Sequence, residues 1–133
     1  MKLTRRYRFA ASHRLNIDAL SPEENSRLYG KCNNPFGHGH DYILDITLEG
    51  QPDESGQIAN RERIDALVSE HVLAPLDHHN LNCDVPALRG QVATTENLAS
   101  AIAAMLATHW NLPARLAAVR ISETARNTFE LII

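Results

Sequence analysis

Apolar and polar positions alternate from Leu3 to His13: Leu3, Tyr7, Phe9 and Ala11 share one parity, and His13 falls on it. A period of two marks a half-buried strand, so His13 is expected at the end of its inward face. Arg5 has the same parity and can also face inward. Residues 38–49 repeat the pattern, with His38, His40, Tyr42, Leu44, Ile46 and Leu48 on one side and Asp41, Asp45, Thr47 and Glu49 on the other. Between these strands, residues 14–37 read as a long loop with one short helical turn around Glu23 to Leu28, because Ser21-Pro22 and several Asn and Gly residues break any period.

Asp53 to Gly56 reads as a turn, and Gln57–Ala59 as a short strand. Asn60 can cap a helix striped by Ile64, Leu67, Val68 and Val72, with Pro75 ending or following it. Thr94 or Thr95 can cap a second helix carrying Leu98, Ile102, Met105 and Leu106 along one side, which Pro113 terminates. Residues 115–123 and 127–133 read as closing strands around a turn at Thr124–Asn127. This order predicts an α+β domain whose antiparallel sheet carries its helices on one face.

The 133 residues fit a single domain, 1–133, with one core. A net charge of −3 gives no electrostatic case for nucleic acid. The Lys2, Arg5, Arg6, Arg8 group alternates with apolar residues and reads as the solvated face of an edge strand. There are two cysteines, Cys32 and Cys83, too few for a secreted disulfide scaffold. The N-terminus has no apolar leader, and no apolar run is long enough to span a bilayer. The expectation is a cytoplasmic protein with reduced thiols and no membrane or nucleic-acid partner.

Histidines give the sequence its chemistry. His38 and His40 sit one residue apart at the start of a strand, so both can reach one metal ion, and His13 has the matching inward phase. The plainer alternative is a pair of surface histidines and an unrelated third. Gly37 and Gly39 leave room for close backbone approach. Three imidazoles with no fourth protein ligand suggest a catalytic zinc with an open position. Cys32 lies in a polar loop with Lys31, Asn33 and Asn34. It reads equally as a base or nucleophile with a lowered pKa, as a fourth zinc ligand closing a structural site, or as a small buried hydrophobe. Asp77-His78 reads either as a carboxylate orienting an imidazole for proton transfer or as a solvated helix end. His79 points elsewhere, and His71 and His109 are incidental helix residues. Glu123 ends a strand, where a carboxylate can anchor two parallel N–H donors of a heterocycle, or simply be solvated. Glu96 is explained by its place in the first turn of a helix.

Together these residues resemble the 6-pyruvoyl-tetrahydropterin synthase family. The matching stretches are Phe9-Ala10-Ala11-Ser12-His13-Arg14-Leu15, Gly30 through His40, Pro75-Leu76-Asp77-His78-His79-Asn80-Leu81, Thr94-Thr95-Glu96-Asn97-Leu98-Ala99, and the strand ending in Glu123-Thr124. The resemblance implies the tunnelling fold, a four-stranded antiparallel sheet with two helices on one face, joined between subunits into a barrel. It also implies a homohexamer, a dimer of trimers, with active sites at subunit interfaces. By position, His13, His38 and His40 match the family's zinc ligands, Cys32, Asp77 and His78 its catalytic trio, and Glu123 its pterin anchor. Thr94 and Thr95 match the segment lining the pterin pocket.

The pyruvoyl branch converts 7,8-dihydroneopterin triphosphate to 6-pyruvoyl-tetrahydropterin with loss of triphosphate. The carboxy branch makes 6-carboxy-tetrahydropterin on the way to deazapurines such as queuosine. The carboxy branch has a shorter spacing between its cysteine and first histidine. Here Asn33 to Gly37 intervene, and with the Ser21-to-Asn25 loop this resembles the pyruvoyl branch. His79 stands where that branch commonly has lysine. Arg14 and Lys31 are candidates for the triphosphate, with magnesium as its companion cation. The rivals are a carboxy-forming enzyme, a non-catalytic structural zinc protein, and a family fold with drifted pterin chemistry.

Overall fold

A computed structural model describes all residues, 1–133. Strand β1 (Lys2–His13) is followed by α1 (Pro22–Tyr29), a 3₁₀ turn (Gly30–Asn33) and β2 (His38–Glu49). Helix α2 (Arg61–Val68) runs through a π turn (Ser69–Leu73) into α3 (Ala74–Leu76). The two-residue β3 (His79–Asn80), a 3₁₀ turn (Pro86–Leu88), α4 (Thr95–His109), β4 (Arg115–Ser122) and β5 (Thr128–Ile132) complete the chain. The sheet order is β3-β1-β2-β4-β5.

The α+β expectation holds, with differences in detail. The sheet has five strands because β3 adds in parallel beside Ala11 and Ser12. The strand expected at Gln57–Ala59 does not form; the chain there follows the turn that Asp53 makes by accepting from Ser55 and Gln57 N–H groups. The turn foreseen at Glu23–Leu28 is a full short helix. Ser21 caps it by accepting from the Glu24 N–H, Glu24 reaches back to Ser21, and Pro22 starts the first turn. Pro75 lies inside the last helical turn. A proline has no N–H to give, and the preceding π turn, where Ala74 N–H bonds Ser69, accommodates its ring. Asn60 and Thr94 cap α2 and α4 as the sequence suggests. No helix is long and apolar enough to cross a membrane.

One sheet face meets the helices. Phe9 and Ala11 from β1 and Tyr42, Leu44, Ile46 and Leu48 from β2 are buried with Ile64, Leu67 and Val68 of α2 and Leu98, Ile102 and Leu106 of α4. Each such fully buried side chain contributes roughly 1.5–3 kcal/mol. A bulge lies opposite Thr47 and Leu48: Thr47 pairs with Ala118 and Leu48 with Leu116, leaving Ala117 over. It puts Leu116, Val119 and Ile121 on the inward face despite their uneven spacing.

The other sheet face is laced by polar pairs. Arg6 grips Asp45 with two bonds, of 2.8 and 3.0 Å, and Thr4 meets Thr47 at 2.8 Å. Arg5, on the inward parity, reaches α2 and binds both oxygens of Asp65 at 3.1 and 2.6 Å, while the Tyr7 hydroxyl donates to Asp65 at 2.7 Å.

The Arg5 guanidinium holds the Asp65 carboxyl below its ordinary value, chiefly through their hydrogen bonds. A depressed folded-state pKa means this stabilisation is present above the unfolded carboxylate pKa and is lost as pH falls through the folded one. Asp65→Asn is expected to cost about 1 kcal/mol at neutral pH, the modest value reflecting a side chain that is 40% exposed. Urea melts are expected to show the gap between variant and wild type closing below about pH 4. A gap that widens on acidification would contradict this account.

Candidate metal centre and its surroundings

The site forms where β1 ends and β2 begins. Their antiparallel register pairs Ala11 with His40 and His13 with His38. His13 is wholly buried. Its Nδ1 lies 2.8 Å from the Ala93 carbonyl oxygen. A carbonyl can only accept, so Nδ1 carries the proton and Nε2 presents a lone pair to the site. That lone pair faces His40 Nε2 at 3.1 Å. Glu123 Oε1 stands 3.0 Å from His40 Nε2 and 3.7 Å from His13 Nε2.

The loop between the strands delivers a thiol. Asn25 is buried, accepts from Ile17 N–H at 2.7 Å, and gives its amide hydrogens to the Ile17, Leu20 and Ser21 carbonyls. Asn33 donates to the Leu15 carbonyl at 2.7 Å, and Leu15 N–H donates to the Cys32 carbonyl at 2.7 Å. These bonds fix the 3₁₀ turn so that Cys32 Sγ stands 3.7 Å from His40 Nε2. Donor atoms of His13, Cys32, His40 and Glu123 all lie within 4.8 Å of one another. Thr95, buried at the start of α4, donates to the other Glu123 oxygen at 3.0 Å.

Burial sets the charge state. It lowers the pKa of His13 and His40, with Glu123 pulling the other way. It raises the Cys32 thiol, and the Glu123 carboxylate adds to the rise. Burial therefore favours the neutral forms of the His13 and His40 imidazoles and of the Cys32 thiol. Nitrogen, sulfur and carboxylate donors at this spacing fit a divalent metal such as zinc.

The family model described as 6-pyruvoyl tetrahydropterin synthase matches residues 2–132. The chain belongs to this family. It is 45% identical over 127 residues to 6-pyruvoyl tetrahydrobiopterin synthase of Poecilia reticulata, covering 94% of this chain and 85% of the relative. It is 46% identical over 99 residues to the Homo sapiens protein of that name, covering 74% and 68%. The 6-pyruvoyl tetrahydropterin synthase structure from Caenorhabditis elegans superposes with a TM-score of 0.91 at 35% identity, covering 99% of this chain and 94% of that one. The family places the chain among carbon–oxygen lyases, so it is an enzyme.

The family's expected residues fall into separate groups. His13 and His40 meet in the cluster. His38 lies beside it, its ring edge-on to His40 with centroids 4.6 Å apart. Glu123, expected on a pterin ring, stands against His40. Asp77 and His78 lie by a groove that His40 of the cluster also lines. Asp77 accepts from Ala10 N–H at 2.9 Å, and its other oxygen is 3.1 Å from His78 Nδ1. The Ala10 bond holds the Asp77 carboxyl below its ordinary value. His78 is 82% exposed and opens on a groove of about 530 Å³ lined also by Ala10, Ser12, Gly39, Asp41 and Asn80. Thr94 caps α4, while Thr95 holds Glu123. Arg14 Nε donates to the Asn33 carbonyl at 3.3 Å, and Lys31 is exposed. His79 turns its Nδ1 to the Asp77 carbonyl, 2.9 Å away. His71 and His109 stack on each other, centroids 3.7 Å apart. The Ala93 carbonyl was invisible in the sequence, because a main-chain acceptor carries no residue signature.

Gly37 tests the construction. Its φ is +80°, and a Cβ there would stand 2.7 Å from the His13 carbonyl oxygen. Gly39 has only the Ala11 carbonyl oxygen at 4.0 Å. Gly37→Ala is expected to cost about 1–3 kcal/mol and to weaken divalent-metal binding. Gly39→Ala should spare both. Thermal melts and metal titrations of the two variants check this, and equal behaviour would show that the close approach is dispensable.

Proposed function

We propose that the chain is a zinc-dependent 6-pyruvoyl-tetrahydropterin synthase acting on 7,8-dihydroneopterin triphosphate. The observation that carries this reading is the Cys32 thiol placed among imidazoles and a carboxylate, all within 4.8 Å. The named relatives at 45–46% identity support the reaction. His13, His38 and His40 would hold the zinc, with His38 joining through its contact with His40. Bound zinc would supply Lewis acidity to the oxygens of the substrate side chain and a positive field that favours the Cys32 thiolate.

Cys32, as thiolate, takes a carbon-bound proton from the side chain. His78, paired with an Asp77 kept ionised by Ala10, moves protons between carbon, oxygen and ring. Triphosphate leaves by elimination, and the ring gains the two hydrogens that the side chain gives up, so no external reductant enters. Glu123 binds the N–H edge of the ring, and Thr94 and Thr95 line its pocket. Arg14 and Lys31 meet the triphosphate with magnesium.

Cys32 lies in the cluster while His78 opens on the groove, and no hydrogen bond joins them. A homohexamer with sites between subunits, as the family resemblance implies, lets one copy supply the thiol and another the Asp77–His78 pair. The cytoplasm, where Cys32 and Cys83 stay reduced, is the compartment that suits this chemistry.

Incubation of zinc-loaded protein with 7,8-dihydroneopterin triphosphate and magnesium is expected to yield a 6-pyruvoyl product and free triphosphate by mass. A 6-carboxy product would move the chain to the queuosine branch and show that the Cys32-to-His38 spacing misleads. No turnover with zinc bound would sink both. Cys32→Ala is expected to keep its zinc and lose about 10²–10⁴-fold in kcat. Loss of metal and stability instead would identify a closed structural site.

A further inference from the structure

Tyr42 is 1% exposed, yet its hydroxyl is the one buried side-chain polar atom without a hydrogen-bond partner. Buried hydroxyls are almost always satisfied, so an orphan marks a place where a partner arrives later. The ring cannot swing to find one. Phe9 stacks on it with centroids 4.9 Å apart and planes at 16°, and the His40 ring lies 5.6 Å away.

The strand register identifies the partner. Leu44 pairs with Ile121 and Ile43 with Ser122, so the next step of the antiparallel ladder sets Tyr42 opposite Glu123. By the same alternation both side chains share the inward face with His40. One Glu123 oxygen accepts the Thr95 hydroxyl, and the other, 3.0 Å from His40 Nε2, accepts no hydrogen bond. Glu123 and Cys32 already add to the burial that raises the Tyr42 phenol above its ordinary value, in keeping with their nearness.

We propose that Tyr42 is a positioning residue: in the loaded site its hydroxyl donates to the Glu123 carboxylate and holds that carboxylate toward the pterin ring. This rests on the pterin reading above. Phenylalanine would fill the same space, so the hydroxyl serves the loaded site and not the fold.

Tyr42→Phe tests it. The metal-free variant is expected to melt at or above the wild-type temperature. Zinc-loaded, it should bind neopterin about ten-fold more weakly, read by pterin fluorescence, and show a matching rise in KM with kcat little changed. In a Glu123→Gln background the same substitution should add nothing. A lower metal-free melting temperature with unchanged neopterin affinity would overturn the proposal, as would additive losses in the double variant. A second readout needs no pterin. With tyrosine labelled at ¹³Cζ, zinc loading should shift the Tyr42 resonance in wild type but not in Glu123→Gln, and an unmoved resonance overturns the proposal. Wild-type protein that binds no neopterin would sink the pterin reading, and the resonance would then decide the Tyr42 proposal by itself.

Discussion

The register between β1 and β2 is the constraint on which the site depends. Pairing Ala11 with His40 and His13 with His38 puts imidazoles from both strands on one face at one end of the sheet. A slip of one residue would send His40 outward and break the cluster, because strand side chains alternate strictly. Three independent contacts oppose that slip. Phe9 stacks on Tyr42 inside, Arg6 chelates Asp45 outside, and Arg5 ties the strand to Asp65 on α2. Each belongs to the fold, yet each also fixes where His40 points.

Pairing of two strands cannot by itself place a thiol. The loop does so with polar contacts buried deeply enough to be unforgiving. Asn25 uses both ends of its amide on the backbone around it, and Asn33 clamps Leu15, whose N–H holds the Cys32 carbonyl. Satisfied in full, such a network specifies one conformation. The same desolvation that makes the network rigid favours the neutral forms of the His13 and His40 imidazoles and of the Cys32 thiol. A pocket that disfavours protonated imidazoles leaves their lone pairs free, which is what a metal-binding group requires.

Local patterns in the sequence were enough to place His13 and His40 on inward faces and to find the caps Asn60 and Thr94, since alternation and capping need only neighbouring residues. Features set by distant partners were not legible. The Ala117 bulge restores inward phase to Val119 and Ile121, and nothing local marks it. The short β3 exists because Ala11 and Ser12 offer an edge. Glu123 read as a strand-end carboxylate; that it would stand 3.0 Å from His40 follows from the β2–β4 register, which one strand cannot reveal. The Gln57–Ala59 strand failed for the converse reason, as its residues are bent into the turn held by Asp53.

The Asp77–His78 pair is exposed but not loose. His78 has a φ of 60°, a conformation that costs a non-glycine residue about 1–3 kcal/mol and persists only where its surroundings enforce it. Here they do. The His78 N–H donates to the Ala10 carbonyl at 2.6 Å, and the Asp77 carboxylate takes the Ala10 N–H at 2.9 Å. One residue of β1 thus clamps both. A merely solvated helix end would relax to an unstrained backbone and leave its imidazole free. A backbone pinned at both ends beneath an 82% exposed side chain presents the imidazole to the groove. Ala10 carries the Asp–His pair through its backbone at the sheet edge, and Ala11 and His40 line the groove on which His78 opens, so the β1–β2 register positions this pair as well as the cluster.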